Sequence, residues 1–97
     1  MPATTATIAT SEASRLIRRL CTHWGHKFNV DFDEQHGVVS FDDDVVLRLQ
    51  AEGNALHARI EACDPPALER FTGVVENHLQ RMARAGELAF HWQPGND

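Results

Sequence analysis

The sequence predicts an α+β fold of the order β-α-β4-α, an antiparallel sheet with two helices packed on one face. Apolar residues recur every three to four positions in 11–24 and again in 64–84, the spacing that gathers them on one side of a helix. Between these stretches, from Phe28 to Ala62, apolar and polar residues alternate, as in strands with one face buried. Short polar turns divide this region into four segments, and strands joined so tightly run antiparallel. Elements with one apolar side bury it against each other, so the helices should cover the inner face of the sheet and leave the outer face in water.

Taken in order, Thr4 to Thr10 is threonine-rich and without breakers, and reads as a first strand with Ala6 and Ile8 on one side. Ser11 is placed to cap the first helix, and Glu12 suits the positive end of its dipole. Ala13, Leu16, Ile17, Leu20 and Trp24 form its apolar stripe, opposite Arg15, Arg18 and Arg19. Gly25 is the expected stop, in the left-handed conformation that turns the chain away. Phe28, Val30 and Phe32 mark the second strand, Val38 to Phe41 the third, and Asp42, Asp43 and Asp44 close it. Val45, Leu47, Leu49 and Ala51 mark a fourth, and Leu56, Ala58, Ile60 and Ala62 a fifth beyond the turn at Gly53 and Asn54. Asp64 caps the second helix, with Pro65 and Pro66 in its first turn, where a missing N–H loses no partner. Leu68, Phe71, Val75, Leu79 and Met82 give its buried stripe and Gly86 its end. Leu88, Phe90 and Trp92 alternate before Pro94 as a short C-terminal strand or an extended arm, and 93–97 is expected to fray.

Ninety-seven residues, 42% of them hydrophobic, suit one α+β domain over 1–97 with a two-layer core. The formal net charge is -5, and 31–64 holds nine acidic residues against Arg48 and Arg59, so a phosphate backbone laid on the sheet would be repelled. Nucleic acid is therefore not an expected partner. The first ten residues carry no basic charge, and the chain has no apolar run of roughly 20 residues, which leads us to expect a cytoplasmic protein without a membrane partner. Cys21 and Cys63 lie far apart and outside any CxxC pair, as reduced thiols do.

Chemically capable side chains gather at the end of the first helix, in Cys21, His23, Trp24 and His26. Imidazoles three apart on a helix can share a metal, although a break at Gly25 would separate this pair. His78 falls inside the apolar stripe of the second helix, where a ring must find a hydrogen-bond partner or a ligand. With the helices side by side, His78 would approach His23 together with His26 or Cys21. That set offers a site for zinc or iron, or for a haem edge walled by Trp24 and Trp92. Each residue also has a plain structural role open to it. His78 can be a core histidine bonded to a backbone carbonyl, His23 a cation at a helix C-terminus, Cys21 a small buried hydrophobe and the tryptophans packing anchors. The aspartates at 42–44 lack the spaced ligands of a calcium loop. The chain carries no nucleophile elbow, phosphate-cradling glycine loop or dinucleotide fingerprint, and Cys21 and His23, two apart on a helix, point to nearly opposite sides.

The pattern CTHWGHKF after an amphipathic helix, the D-x-x-A-L opening of the second helix with its later VVENHLQR, and the closing GELAFHWQP resemble the small bacterial domain-of-unknown-function family 2218 (DUF2218). The resemblance covers nearly the whole chain. Carried over residue by residue, it implies His23, His26, Lys27, His78, Arg81, Glu87 and Trp92 as functional positions. Met82-Ala83-Arg84 departs from the more aromatic run expected at the end of the second helix, which bears on the packing of the tail. The family implies no established activity; it associates the chain with iron and siderophore utilisation and with siderophore-interacting reductases as partners. The order of elements also resembles TATA-binding-protein-like domains, a likeness of topology that brings no DNA binding with it.

Two functions of different class follow. One is a non-catalytic binding or accessory domain for a small ligand, metal or haem, which requires His23, His26 and His78 to meet at an accessible pocket. The alternative is an interaction module, a homodimer above all, that uses the polar outer face with Val46, Arg48, His57 and Arg59. A small enzyme using histidine acid–base chemistry is a distant third.

Overall fold

A computed structural model, which describes residues 2–42, 44–84 and 88–95, gives the order β1 (Ala3–Ala9), α1 (Ala13–Trp24), β2 (Asn29–Phe32), β3 (His36–Asp42), β4 (Val45–Glu52), β5 (Ala55–Ala62), α2 (Pro65–Met82) and β6 (Gln93–Pro94). The strands form one sheet in the order β2-β3-β4-β5-β1-β6, antiparallel throughout. The α+β order read from the sequence is the order adopted, with a sixth strand added beside β1.

Register explains the layering. Val30 pairs with Val39, Val39 with Leu47, Leu47 with Ile60, and Ile8 with Leu56, so one face of the sheet is apolar across its width. Leu16, Ile17, Leu20 and Trp24 of α1 and Val75 and Leu79 of α2 close over that face and share its core. Burying side chains of this size contributes about 1.5–3 kcal/mol each. The opposite face carries Thr5, Thr7, Val38, Arg48, Gln50, His57 and Arg59, the polar half of each alternation.

The helix ends differ from expectation in instructive ways. Ser11 does not cap α1. Glu12 holds the cap position without a side-chain cap, its own N–H donating to Thr10 Oγ1 at 3.0 Å, because its carboxylate is turned to the Arg15 side chain and to the Arg84 N–H. Gly25 is right-handed, with φ -61° and ψ -16°. The helix unwinds through Lys27 N–H and Phe28 N–H, which both donate to Trp24 O at 3.0 and 2.9 Å, so no left-handed residue is needed. Among the described residues the positive φ falls at Gly53, in the β4–β5 hairpin. Asp64 does cap α2, its Oδ1 accepting from Ala67 N–H at 2.9 Å. That helix stops at Met82, where Ala83 turns extended and Arg15 takes the Met82 carbonyl at 2.6 Å. The expected stop, Gly86, lies outside the described residues, as do Asp43 and Glu87.

Beyond α2 the alternation of Leu88, Phe90 and Trp92 is that of an arm rather than a strand. Leu88 N–H donates to Gln80 Oε1 at 2.8 Å, and the three side chains pack half-buried against the core. Residues 93–95, within the stretch expected to fray, lie paired along β1. Gln93 and Pro94 pair with Thr5 and Thr4, Thr4 Oγ1 donates to Gln93 O at 2.9 Å, and Gly95 N–H donates to Ala3 O at 2.8 Å. Proline is tolerated there because an edge strand has a side without a ladder to complete. Among the described residues no helix is long and apolar enough to cross a membrane.

Candidate functional site

Trp24 continues the buried stripe of α1, and His23 stands exposed beside it. His78 lies three residues after Val75 on α2 and is half-buried at the edge of that helix's apolar stripe. Where the helices meet, the His78 ring is 5.3 Å from that of His23 and 4.8 Å from that of Trp24, centroid to centroid. Trp24 meets Phe41 of β3 edge-on at 4.7 Å, and Phe41 in turn meets Phe28 at 5.2 Å and Phe71 of α2 at 4.8 Å. These tilted and edge-on arrangements are the ones favoured by the aromatic quadrupole.

The rings border a cavity of about 460 Å³. His23, Trp24, His26 and Lys27 come to it from the end of α1, Phe28 and Phe41 from the sheet side, and Phe71, Val74 and His78 from α2. His78 Nδ1–H donates to Val74 O at 2.7 Å, which fixes the ring and, in its neutral form, leaves Nε2 as acceptor or metal ligand. His78 is therefore bonded as a core histidine is and still forms part of a pocket wall. Lys27 and His26 are exposed at the rim. The three histidines share one pocket. Among the described residues, however, no group of three or more His, Cys, Asp or Glu is placed to hold a metal ion.

Other residues singled out by sequence lie elsewhere. Cys21 is fully buried against Gly37, where a Cβ would come within 2.8 Å of its Sγ, and burial raises its thiol from 9.0 to about 11. It therefore faces the sheet and is no third arm for the histidines. Trp92 lies along α2, its Nε1–H donating to Glu76 Oε1 at 2.6 Å, so it anchors the tail and does not wall the pocket with Trp24. Arg81 is exposed on the last turn of α2 and does not line the cavity. The walls that sequence reasoning had assigned only to the core are Phe28, Phe41 and Phe71. Part of the signal was present in the sequence, since Phe28 opens the second strand's alternation and Phe41 ends the third strand, whereas Phe71 lies within the stripe of α2.

Residues 5–93 match a family described as an uncharacterized protein conserved in bacteria (DUF2218). The chain belongs to this family. All the residues that line the pocket fall inside the matched span of this DUF2218 domain. Its fold is similar to the NMR structure of PA4090 from Pseudomonas aeruginosa, with a TM-score of 0.81, 35% sequence identity and 96% of each chain covered. No curated protein matches the chain.

Proposed function

We propose that this DUF2218 domain is a non-catalytic binding module that takes a small aromatic or metal-chelate ligand in the pocket between α1 and α2. The observation that carries the reading is the facing pair His23 and His78 at 5.3 Å over a floor of aromatic rings. Ring-lined concavities with a few placed polar groups suit such ligands. His78 Nε2 supplies one donor atom, and Lys27 at the rim suits a carboxylate. A haem or a ferric chelate brings most of its ligands with it, so one or two imidazoles suffice where a bare ion would need more. This is the physical link to the iron and siderophore utilisation that the family resemblance implies, with a siderophore-interacting reductase as the partner that would use such a ligand. Among the described residues the lining includes no Asp, Glu, Ser, Thr or Cys, which favours binding over group transfer.

The test is titration of tag-free protein with haem, a ferric hydroxamate chelate and zinc, followed by visible absorption and Trp24 fluorescence. Haem or the chelate is expected to bind saturably and more tightly than zinc. His23→Ala and His78→Ala should each weaken that binding by about tenfold, the size of one lost donor. Equal affinity in the wild type and both variants would refute the reading.

A further inference from the structure

The outer face of the sheet carries a second concavity that the histidine pocket does not explain. Register sets Arg48 of β4 directly opposite Arg59 of β5, a like-charge pair that repels at that distance unless an anion intervenes. Glu61 intervenes: Arg48 Nε donates to Oε1 and Arg59 Nε to Oε2, each at 3.1 Å. The bond from Arg59, then that from Arg48, holds the Glu61 carboxyl below its usual range, so it stays ionised. One carboxylate thus fixes two guanidiniums side by side. Arg48 is 54% exposed, and its Nη groups donate to no described residue.

The next row of the face runs His36, Gln50, His57 and Thr7. His57 is held in place by both nitrogens, accepting from Thr7 Oγ1 at 3.1 Å and donating to Glu52 at 3.0 Å, which occupies that carboxylate at the margin. A groove of about 490 Å³ lies across the two rows, and among the described residues no Asp or Glu lines it. The carboxylates of Glu61, Glu52 and Asp33 meet Arg48 and Arg59, His57 and His36 from outside this lining, so what the concavity itself presents is donor-rich, the outward Nη edge of Arg48 beside Gln50, and suits a small anion. Asp31, paired with Val38, Asp33, 3.5 Å from His36, and Glu52, bonded to His57, flank it, so a long polyanion is repelled where a small one is not.

We infer that this groove is a binding site for a small oxyanion, a carboxylate or phosphate group, engaged by the Nη edge of Arg48 with Gln50 and Thr5 as neighbouring donors. A guanidinium edge matches two oxygens of either group. Arg59 sets the orientation through Glu61 and meets the C-terminal tail, since a Cβ on Gly95 would stand 2.8 Å from its Nη1. The two sites lie on opposite faces of the sheet and are independent.

Isotope-labelled protein titrated with inorganic phosphate and with malonate at constant ionic strength tests this, read by amide and arginine Nε–H shifts. Saturable changes at His36, Arg48, Gln50 and Thr5 are expected, and the tighter of the two probes identifies a phosphate or a carboxylate source. Arg48→Gln should weaken binding about tenfold or more while keeping a folded spectrum. His78→Ala should leave it unchanged, so failure of the histidine pocket and failure of this groove are told apart. Shifts that never saturate, an unaltered affinity in Arg48→Gln, or changes that follow protein concentration rather than anion would overturn the proposal, the last by showing a second copy on this face.

Discussion

Gly37 and Cys21 meet where α1 lies on β3, and the contact leaves no room for one more carbon. A Cβ on Gly37 would sit 2.8 Å from Cys21 Sγ and 3.1 Å from Ile17 Cγ2, both in the sealed core. Gly37→Ala should therefore destabilise the fold by about 1–3 kcal/mol through overpacking. Urea unfolding would measure it, and Cys21→Ala in the same chain should recover part of the loss, because removing the sulfur vacates the clashing position. The same thiol makes stability depend on pH. Its ionisation is raised from 9.0 to about 11 by burial, so the unfolded chain releases the proton first and gains from alkali what the native state does not. The contribution is intact below pH 9 and is lost as pH rises from about 9 to about 11. The denaturation midpoint of the wild type should fall across that window more than that of Cys21→Ala; parallel curves would show that the thiol is not responsible.

At the scale of elements, legibility followed how local the governing interaction was. Strands β2 to β5 were readable because period-two alternation and tight turns need no distant partner, and the same holds for the Asp64 cap and its two prolines. Asp64→Ala should cost about 1 kcal/mol, as the loss of an N-cap acceptor for Ala67 N–H does, with the exchange of that amide rising in step. Unchanged stability would mean that Pro65 and Pro66 alone fix the start of the helix. Where a remote residue intervened, the sequence pointed elsewhere. Ser11 looked like a cap, yet Glu12 took the position, its carboxylate drawn to Arg84 seventy-two residues away. Gly86 looked like a stop, yet α2 ends at Met82, whose carbonyl belongs to Arg15 of the other helix. A short C-terminal strand was readable as one possibility, but its place at 93–94 was not, since its partner is the first strand in the chain. The candidate pocket was half legible. His23 and Trp24 stood out at the end of the first helix and His78 inside the apolar stripe of the second, but their 5 Å spacing depends on how the two helices cross. Trp92 takes the plain role open to it, that of a packing anchor, but nothing local reveals its bond to Glu76.

Across the whole molecule, the helix pair is tied at one end and open at the other. At the tied end Glu12 accepts from Arg15 Nε at 3.0 Å and from Arg84 N–H at 3.0 Å, while Arg15 also holds Met82 O. At the open end the histidine rings face each other over the cavity. The clasp joins the cap residue of one helix to the exit of the other, so it fixes where the tail leaves α2 as well as how the helices meet. Its acid and its arginine are only 12% and 21% exposed, and removing the acid would leave a largely desolvated guanidinium without its counter-charge. Glu12→Ala should accordingly cost about 1.5–3 kcal/mol, the range for hydrogen bonds to charged groups. Glu12→Gln should cost less, because its amide oxygen can still accept from Arg84 N–H. Hydrogen exchange locates the effect: the Arg84 amide should lose protection in Glu12→Ala, while the amides of β4 and β5, which hold the centre of the sheet, should lose it only in proportion to global stability. If the Arg84 amide keeps its protection in Glu12→Ala, the tail is held by Leu88, Trp92 and β6 alone, and the helix pair derives its angle from the aromatic end.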